Sequence, residues 1–170
     1  MVIWISGMPG TGKSTLAKYY FNRHKKKLKN LILIDGDAFR KSMNNDLGYT
    51  LKDRKKNALR LIKLSKYFSD QKVNVIISAN LVFQNYRNWC KKNIPSFLEV
   101  YIESKKDLLI KRNKQKIFYK LKKNVLGKDI KVKKPHKPHL IIDNNYSKNF
   151  FLKTIKLIDN SIKKKRIKIY

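Results

Sequence analysis

The sequence reads Gly7-Met8-Pro9-Gly10-Thr11-Gly12-Lys13-Ser14 close to its beginning, and this stretch decides the fold. It matches the pattern G-x-x-x-x-G-K-[ST] at every position. An apolar run at residues 2–6 precedes it and a helical pattern from about 13 to 29 follows, which is the strand–loop–helix context that the motif requires. Glycines let such a loop curl until its backbone N–H groups point inward, and the start of the helix adds a positive dipole end. The stretch therefore predicts a site for the phosphates of a nucleotide.

The residue types in this loop predict separate roles. Lys13 would bridge the β- and γ-phosphates of ATP and take part in catalysis, and the Ser14 hydroxyl would ligate Mg²⁺. The predicted contacts with the nucleotide follow the loop into the helix: Gly7, Met8, Pro9, Gly10, Thr11, Gly12, Lys13, Ser14 and Thr15. The predicted cofactors are ATP and Mg²⁺.

Outward from the loop, apolar runs alternate with helical patterns. Predicted strands lie at residues 2–6, 31–34, 73–78, 97–102 and 140–142. Predicted helices lie at about 13–29, 50–71 and 105–112, around Tyr86 and Trp89, and near the end of the chain. This alternation predicts an α/β fold, a P-loop three-layer α/β/α sandwich around a mainly parallel five-stranded sheet. The expected organisation is a single kinase domain over residues 1–170, with a lid at about 113–137 and a basic tail at about 163–170.

The charge of the chain is extreme, because 42 Lys and Arg against 11 Asp and Glu give a formal net charge of +31. The basic residues are spread along the sequence, so the pattern favours drift in composition over a dedicated nucleic-acid surface. Cys90 is the only cysteine, which excludes an internal disulfide and fits a reducing compartment. No stretch looks long and apolar enough to cross a membrane. We expect a cytoplasmic protein whose partner is a small-molecule nucleotide.

Two carboxylates follow the second predicted strand, in Asp35-Gly36-Asp37. They fall on the edge of the sheet that carries the phosphate loop, with Arg40 one helical turn beyond Asp37. This set could supply a ligand to Mg²⁺-bound water, a general base and an anion clamp. Equally, Asp37 could be a helix N-cap and Arg40 a surface residue.

Further residues agree with a known family. They are Leu33-Ile34-Asp35-Gly36-Asp37, Arg40, Asp46-Leu47-Gly48-Tyr49, Asp53-Arg54, Asn57, Gly127-Lys128-Asp129, Pro135 and Pro138. With the phosphate loop, this series resembles adenylylsulfate kinase over roughly residues 2 to 143. The resemblance implies an enzyme that uses MgATP to phosphorylate the ribose 3′-hydroxyl of adenylyl sulfate. It also allows a homodimer, because relatives of this kind often form one.

The resemblance also implies roles for individual residues. Asp37 matches the candidate base near the 3′-hydroxyl, Asp35 would help to organise the Mg²⁺ site, and Tyr49 would stack on the acceptor base where the family usually has Phe. Arg87 matches an arginine of the helix after the third strand, and Arg112 would open the lid and lie near ATP. The implied contacts with the acceptor are Asp37, Arg40, Tyr49, Arg54, Asn57, Ser78 and Lys123.

The sequence departs from the family in three places. Leu81-Val82 replace the usual Ser-Pro, which excludes a phosphoserine intermediate there and leaves direct transfer. The lid is shorter, and its usual motif is degraded to residues 113–118. Val125 replaces the lid phenylalanine that would cover the second face of the acceptor's adenine, at a cost of about 1 kcal/mol in stacking.

These departures leave the acceptor open. Related kinases of surface-polysaccharide pathways share the fold and phosphorylate other activated nucleotides, such as cytidine diphosphoramidate, so that acceptor is the first alternative. A second alternative is a basic nucleic-acid-binding protein with a vestigial P-loop.

Overall fold

The sheet and its helices are seen in a computed structural model that describes residues 1–105, 107–109 and 123–170. The strands are β1 (Val2–Gly7), β2 (Leu31–Asp35), β3 (Asn74–Ser78), β4 (Phe97–Glu103) and β5 (Leu140–Asp143). The helices are α1 (Lys13–His24), α2 (Gly36–Ser42), α3 (Leu51–Asp70), α4 (Gln84–Asn93) and α5 (Phe150–Lys164). The part of the predicted lid at residues 113–122 lies outside the described residues, and so does Arg112.

The strands form one sheet in the order β2-β3-β1-β4-β5, and every neighbouring pair is parallel. Parallel pairing of successive strands requires crossover connections, which the helices supply. The predicted fold class is therefore confirmed. Because all five strands run the same way, their carboxyl ends lie along one edge, and ligands of such sheets bind beyond that edge.

Two apolar clusters separate the layers. On one face of the sheet, Ile3 and Ile5 pack with Leu16 of α1 and Ile158 of α5. On the other face, Trp4 of the same strand packs against α3 and α4, and its indole N–H donates to the Ala79 carbonyl at 3.0 Å. Successive strand residues point to opposite faces, so β1 is buried on both sides and places the phosphate loop at the centre of the molecule.

Two helices differ from the sequence prediction. α1 ends at His24 rather than near residue 29, because the chain turns there and Leu28 N–H bonds back to the His24 carbonyl. α2 is an additional helix of 7 residues, too short to show a hydrophobic period, and it begins directly after β2. This early start brings Asp37 and Arg40 onto a rigid element beside the phosphate loop.

The end of the chain is held against the sheet. Ile167, beyond α5, packs on the apolar cluster that contains Ile3. The Asn74 side chain donates to the Tyr170 carbonyl at 2.5 Å and accepts from the Tyr170 N–H at 3.2 Å. Among the helices in the described part of the chain, none has the length and apolar character that crossing a membrane needs.

Candidate active site

The phosphate loop leaves β1 and enters α1 through glycines that the local geometry requires. A Cβ on Gly7 would lie 2.2 Å from the Ile102 carbonyl oxygen of β4, far inside any real contact. Gly12, the residue before α1, has φ of 91°, in the left-handed region that side chains disfavour. The loop therefore depends on glycine at both ends.

The Met8 carbonyl is the internal anchor of the loop. It accepts hydrogen bonds from the Thr11 N–H at 3.3 Å, the Thr11 hydroxyl at 2.9 Å and the Lys13 ammonium at 2.9 Å. Lys13 is thus folded over the loop, in reach of any anion that the loop holds. Burial lowers the pKa of Lys13 to about 8, while the charges of Asp37 and Asp35 act in the opposite direction.

Three oxygens meet beside the loop, at the ends of β2 and β3. The Ser14 hydroxyl donates to Asp35 Oδ2 at 2.6 Å and lies 3.1 Å from the Ser78 hydroxyl oxygen. Asp35 and Ser78 are register partners, so strand pairing alone sets them side by side. Hydroxyl and carboxylate oxygens are the donors that Mg²⁺ prefers, and Mg²⁺ keeps several waters rather than needing a full protein cage. The chemistry of the oxygens of Ser14, Asp35 and Ser78 thus fits the expected ion.

Asp35 also begins helix α2. Its Oδ1 accepts from the N–H groups of Asp37 and Ala38 at 3.1 and 3.2 Å. The helix cap is therefore Asp35, and the alternative in which Asp37 caps the helix is wrong. Because the cap fixes the Asp35 carboxylate, its second oxygen is held toward Ser14.

Asp37 is exposed in the first turn of α2, two residues after Asp35. Its charge raises the pKa of Lys13 and the pKa of Arg54, in both cases against the larger lowering effect of burial. The Asp37 carboxylate is therefore within electrostatic reach of the phosphate loop and of one predicted acceptor residue.

Arg40 and Tyr49 lie together on the acceptor side. Arg40 is 5 % exposed, so its interpretation as a surface residue is wrong. Its Nη1 donates to the carbonyls of Gly48 at 2.5 Å and Leu47 at 3.4 Å. The Tyr49 ring centre lies 4.8 Å from the Arg40 guanidinium and 5.3 Å from that of Arg54. The Tyr49 ring therefore lies next to both guanidinium groups.

Arg54 connects α3 to the described part of the predicted lid, which begins at residue 123. Its Nε donates to the Tyr49 carbonyl and its Nη2 to the Asn124 carbonyl, each at 2.9 Å. Burial lowers the pKa of Arg54, and the positive charge of Arg40 lowers it further. Two cations brought this close favour an anion between them.

Two buried polar atoms here have no hydrogen-bond partner within the described residues. They are Arg40 Nε and Asn57 Oδ1, a donor and an acceptor. A buried polar atom without a partner is costly, and such atoms often mark a place where a ligand binds. Their position beside Tyr49 and Arg54 matches the predicted acceptor contacts.

The remaining predicted residues divide between the site and its surroundings. Lys123 and Thr15 are exposed. Val125 is 1 % exposed, and its N–H bonds Asp129 Oδ2 at 2.9 Å, so it is turned into the fold. Gly127 has φ of 85°, and a Cβ there would lie 2.2 Å from Met8 Cε, which places this segment directly on the phosphate loop.

Arg87 lies in the core rather than with the loop. It forms a buried ion pair with Glu99 of β4, whose other oxygen lies 3.2 Å from Lys91 Nζ. Burial lowers the pKa of Arg87 to about 10. This pair joins α4 to the sheet, so the role of Arg87 seen here is structural.

Two residues of the site were missed from sequence. In the loop after β5, Asn144 Nδ2 donates to the Thr11 carbonyl at 2.9 Å and the Tyr146 hydroxyl donates to the Gly10 carbonyl at 3.0 Å. They belong to no motif and lie more than 130 residues from their partners. The available signal was their place directly after a strand, at the edge of the sheet where parallel strands present ligand-binding loops.

Comparisons with known proteins concern the whole chain. The family model described as adenylylsulphate kinase matches residues 1–143. A cytidine diphosphoramidate kinase of Campylobacter jejuni is 33 % identical over 152 residues, which is 87 % of this chain and 88 % of that protein. An adenylyl-sulfate kinase of Clostridium acetobutylicum is 33 % identical over 151 residues, 84 % of this chain and 74 % of that protein. The solved APS kinase of Mycobacterium tuberculosis in complex with AMPPNP and APS superposes with a TM-score of 0.82 at 22 % identity, covering 95 % of this chain and 96 % of that one.

Proposed function

The chain belongs to the adenylylsulphate kinase family and is a phosphotransferase with a hydroxyl acceptor; we propose that it transfers the γ-phosphoryl group of ATP, with Mg²⁺, to the ribose 3′-hydroxyl of adenylyl sulfate. The observation that carries this proposal is the place of Asp37 in the first turn of α2, where its N–H bonds the same Asp35 carboxylate that accepts from Ser14 of the phosphate loop. An exposed carboxylate next to the phosphate loop suits proton removal from an attacking hydroxyl.

On the donor side, the inward N–H groups of the loop bind the phosphates and Lys13 moves from the Met8 carbonyl to the β- and γ-phosphates. Ser14 and Asp35 would hold Mg²⁺, which neutralises charge on the transferring group when bound. The positive end of α1 adds to the same field. These residues therefore orient the triphosphate and offset its charge.

On the acceptor side, Arg40 and Arg54 bind the anionic linkage of the nucleotide. Asn57 Oδ1 accepts a hydrogen bond from a ribose hydroxyl or from an N–H group of the base. The acceptor oxygen attacks the γ-phosphorus while the bond from that phosphorus to the β–γ bridging oxygen breaks. Asp37 takes the hydroxyl proton, and ADP leaves with the bridging oxygen. Catalysis of this kind depends mainly on positioning and on charge.

A second acceptor, cytidine diphosphoramidate, is favoured by a specific observation. Val125, which the resemblance assigns to the position of the family's second stacking ring, is buried, and the Tyr49 ring lies against two guanidinium groups. Loss of one stacking ring weakens the preference for a purine, whereas the two arginines suit any diphosphate-like linkage. The similar Campylobacter jejuni protein carries the name of this activity.

The test is turnover of purified protein with MgATP and a panel that contains adenylyl sulfate, cytidine diphosphoramidate and the parent nucleotides, followed by ADP release and product mass. The first proposal expects a phosphorylated adenylyl sulfate and the second a phosphorylated cytidine compound. Lys13→Ala is the control for both and should abolish transfer with the fold intact. No turnover with any member, together with nucleic-acid binding that Lys13→Ala leaves unchanged, would sink both and support the vestigial P-loop.

A further inference from the structure

The loop after β5 contacts the phosphate loop through two side chains that have no assigned role. Asn144 is 1 % exposed and donates from Nδ2 to the Thr11 carbonyl at 2.9 Å. Tyr146 donates its hydroxyl to the Gly10 carbonyl at 3.0 Å. Two successive carbonyls of the loop are therefore held from the same side.

The brace, as we name Asn144 and Tyr146, is itself rigid. The Asn144 N–H bonds the Glu103 carbonyl of β4 at 2.8 Å, and Asn144 Oδ1 accepts from the Tyr146 N–H at 2.7 Å. Asn144 thus uses its backbone, its donor and its acceptor in fixed bonds that join the sheet to the loop. Such a connected set positions a group more firmly than a single contact does.

Holding a carbonyl also orients the next amide. A trans peptide unit is planar, and its C=O and N–H bonds point in opposite directions. Because the Thr11 carbonyl points at Asn144, the Gly12 N–H points in the opposite direction, away from Asn144. The Gly12 backbone is left-handed, and a Cβ at that position would lie 3.1 Å from Asn144 Nδ2. The Asn144 side chain therefore lies close to Gly12.

We propose that Asn144 and Tyr146 are positioning residues for nucleotide binding. Tyr146 holds the Gly10 carbonyl and so supports the bond from the Thr11 N–H to the Met8 carbonyl, and Asn144 holds the Thr11 carbonyl so that the Gly12 N–H faces the phosphates. This inference rests on the proposed use of ATP but not on the identity of the acceptor. It predicts that the brace contributes to the binding of ATP and ADP and leaves the binding of the acceptor unchanged.

The test compares two matched substitutions. Asn144→Asp keeps the shape and the Oδ1 acceptor for the Tyr146 N–H but removes the donor to Thr11. Asn145→Asp makes the same chemical change one residue later at an exposed position, where Oδ1 accepts from the Ser147 N–H and still can. Both variants add one negative charge near the loop, so Asn145→Asp corrects for the charge acting on the nucleotide. Tyr146→Phe adds no charge and measures the loss of one hydrogen bond by itself.

Titration calorimetry with MgADP should show a Kd about 10-fold higher in Asn144→Asp than in Asn145→Asp, as expected for one lost bond to a buried carbonyl. The KM for MgATP should rise with it, while the KM for the acceptor stays constant. Tyr146→Phe, which removes only a hydroxyl, should raise the Kd about 3-fold. Tyr146→Phe also keeps the test informative if Asn144→Asp fails to fold.

Equal MgADP affinity in Asn144→Asp, Tyr146→Phe and wild type would overturn the brace and leave the proposed function standing. Equal increases in the KM values for both substrates would also overturn it, because a general structural role would produce them. A wild-type protein that binds MgADP but phosphorylates no acceptor would contradict the proposed function alone. A wild-type protein that binds no MgADP would overturn both.

Discussion

Lys13 shows how one partly buried side chain can set the pH range of a site. Burial lowers its pKa from the ordinary value of 10.5 to about 8, so the ammonium is disfavoured in the ligand-free fold. By linkage, folding of the free protein gains from this group as pH rises from about 8 toward 10.5, since the unfolded chain binds the proton more tightly. Bound phosphates favour the ammonium and oppose this trend.

Nucleotide affinity should therefore fall as pH rises through about 8, with proton uptake on binding. Calorimetry of MgADP binding between pH 7 and 9.5, in buffers of different ionisation enthalpy, measures both quantities. Lys13→Met serves as the control because it has no proton to exchange, so its weaker affinity should not vary with pH in this range. An affinity in wild type that stays constant to pH 9.5 would contradict the role of Lys13.

Asp37 is a second single residue whose substitution gives a clear test, because we expect it to act in the chemical step and not in nucleotide binding. Asp37→Asn keeps the side-chain size and removes the base, so turnover should fall about 100-fold or more while the Kd for MgADP changes little. Asp46→Asn is a suitable control, because Asp46 is an exposed carboxylate paired with Arg60 at 2.6 Å. Near-normal turnover in Asp37→Asn would show that another group accepts the proton.

At the scale of the element, the start of α3 controls the acceptor side. The Thr50 hydroxyl oxygen accepts from the Asp53 N–H at 3.1 Å and caps the helix whose first turns carry Arg54 and Asn57. Loss of this cap would fray the start of α3 and so disturb the residues of the site that this helix carries. The described part of the predicted lid is joined to the same turn through the Arg54–Asn124 bond.

Thr50→Ala should destabilise the protein by about 1 kcal/mol, the usual value of an N-cap. Because the frayed turn carries Arg54, the KM for the acceptor should rise more than the KM for MgATP. Urea unfolding and steady-state kinetics measure these effects, and Lys55→Ala, an exposed position of the same helix, should change neither. A larger rise in the KM for MgATP would mean that the cap acts elsewhere.

At the scale of the whole molecule, the polar core under α4 concerns stability rather than catalysis. Glu99 is fully buried on β4, with Arg87 and Lys91 as cationic partners, and its N–H donates to His139 Nδ1 at 2.9 Å. Burial is the main reason that the pKa of His139 is lowered to about 4, which suits a neutral acceptor. The cluster ties α4, β4 and the approach to β5 together.

Glu99→Ala should cost about 3 kcal/mol, because it leaves the Arg87 guanidinium buried without its carboxylate. Asp70→Ala, which breaks the exposed Lys66–Asp70 pair at 2.5 Å, should cost less than about 0.5 kcal/mol. Denaturant titration of both variants gives the comparison. A Glu99→Ala protein as stable as Asp70→Ala would show that the buried pair contributes little.

From the sequence alone, the phosphate loop and the alternation of strands and helices could be predicted, because short-range sterics and hydrophobic period act along the chain. Ser14 was proposed from the loop motif and Asp35 and Asp37 from their place after a strand, whereas Arg54 and Asn57 were proposed only through the resemblance to a known family. Only the tertiary structure decided that Asp35 caps α2, that Arg87 pairs with Glu99 in the core, and that Asn144 and Tyr146 hold the phosphate loop. These contacts join residues distant in sequence, and they exist because the strand order sets β1 beside β4 and β4 beside β5, which no local pattern encodes.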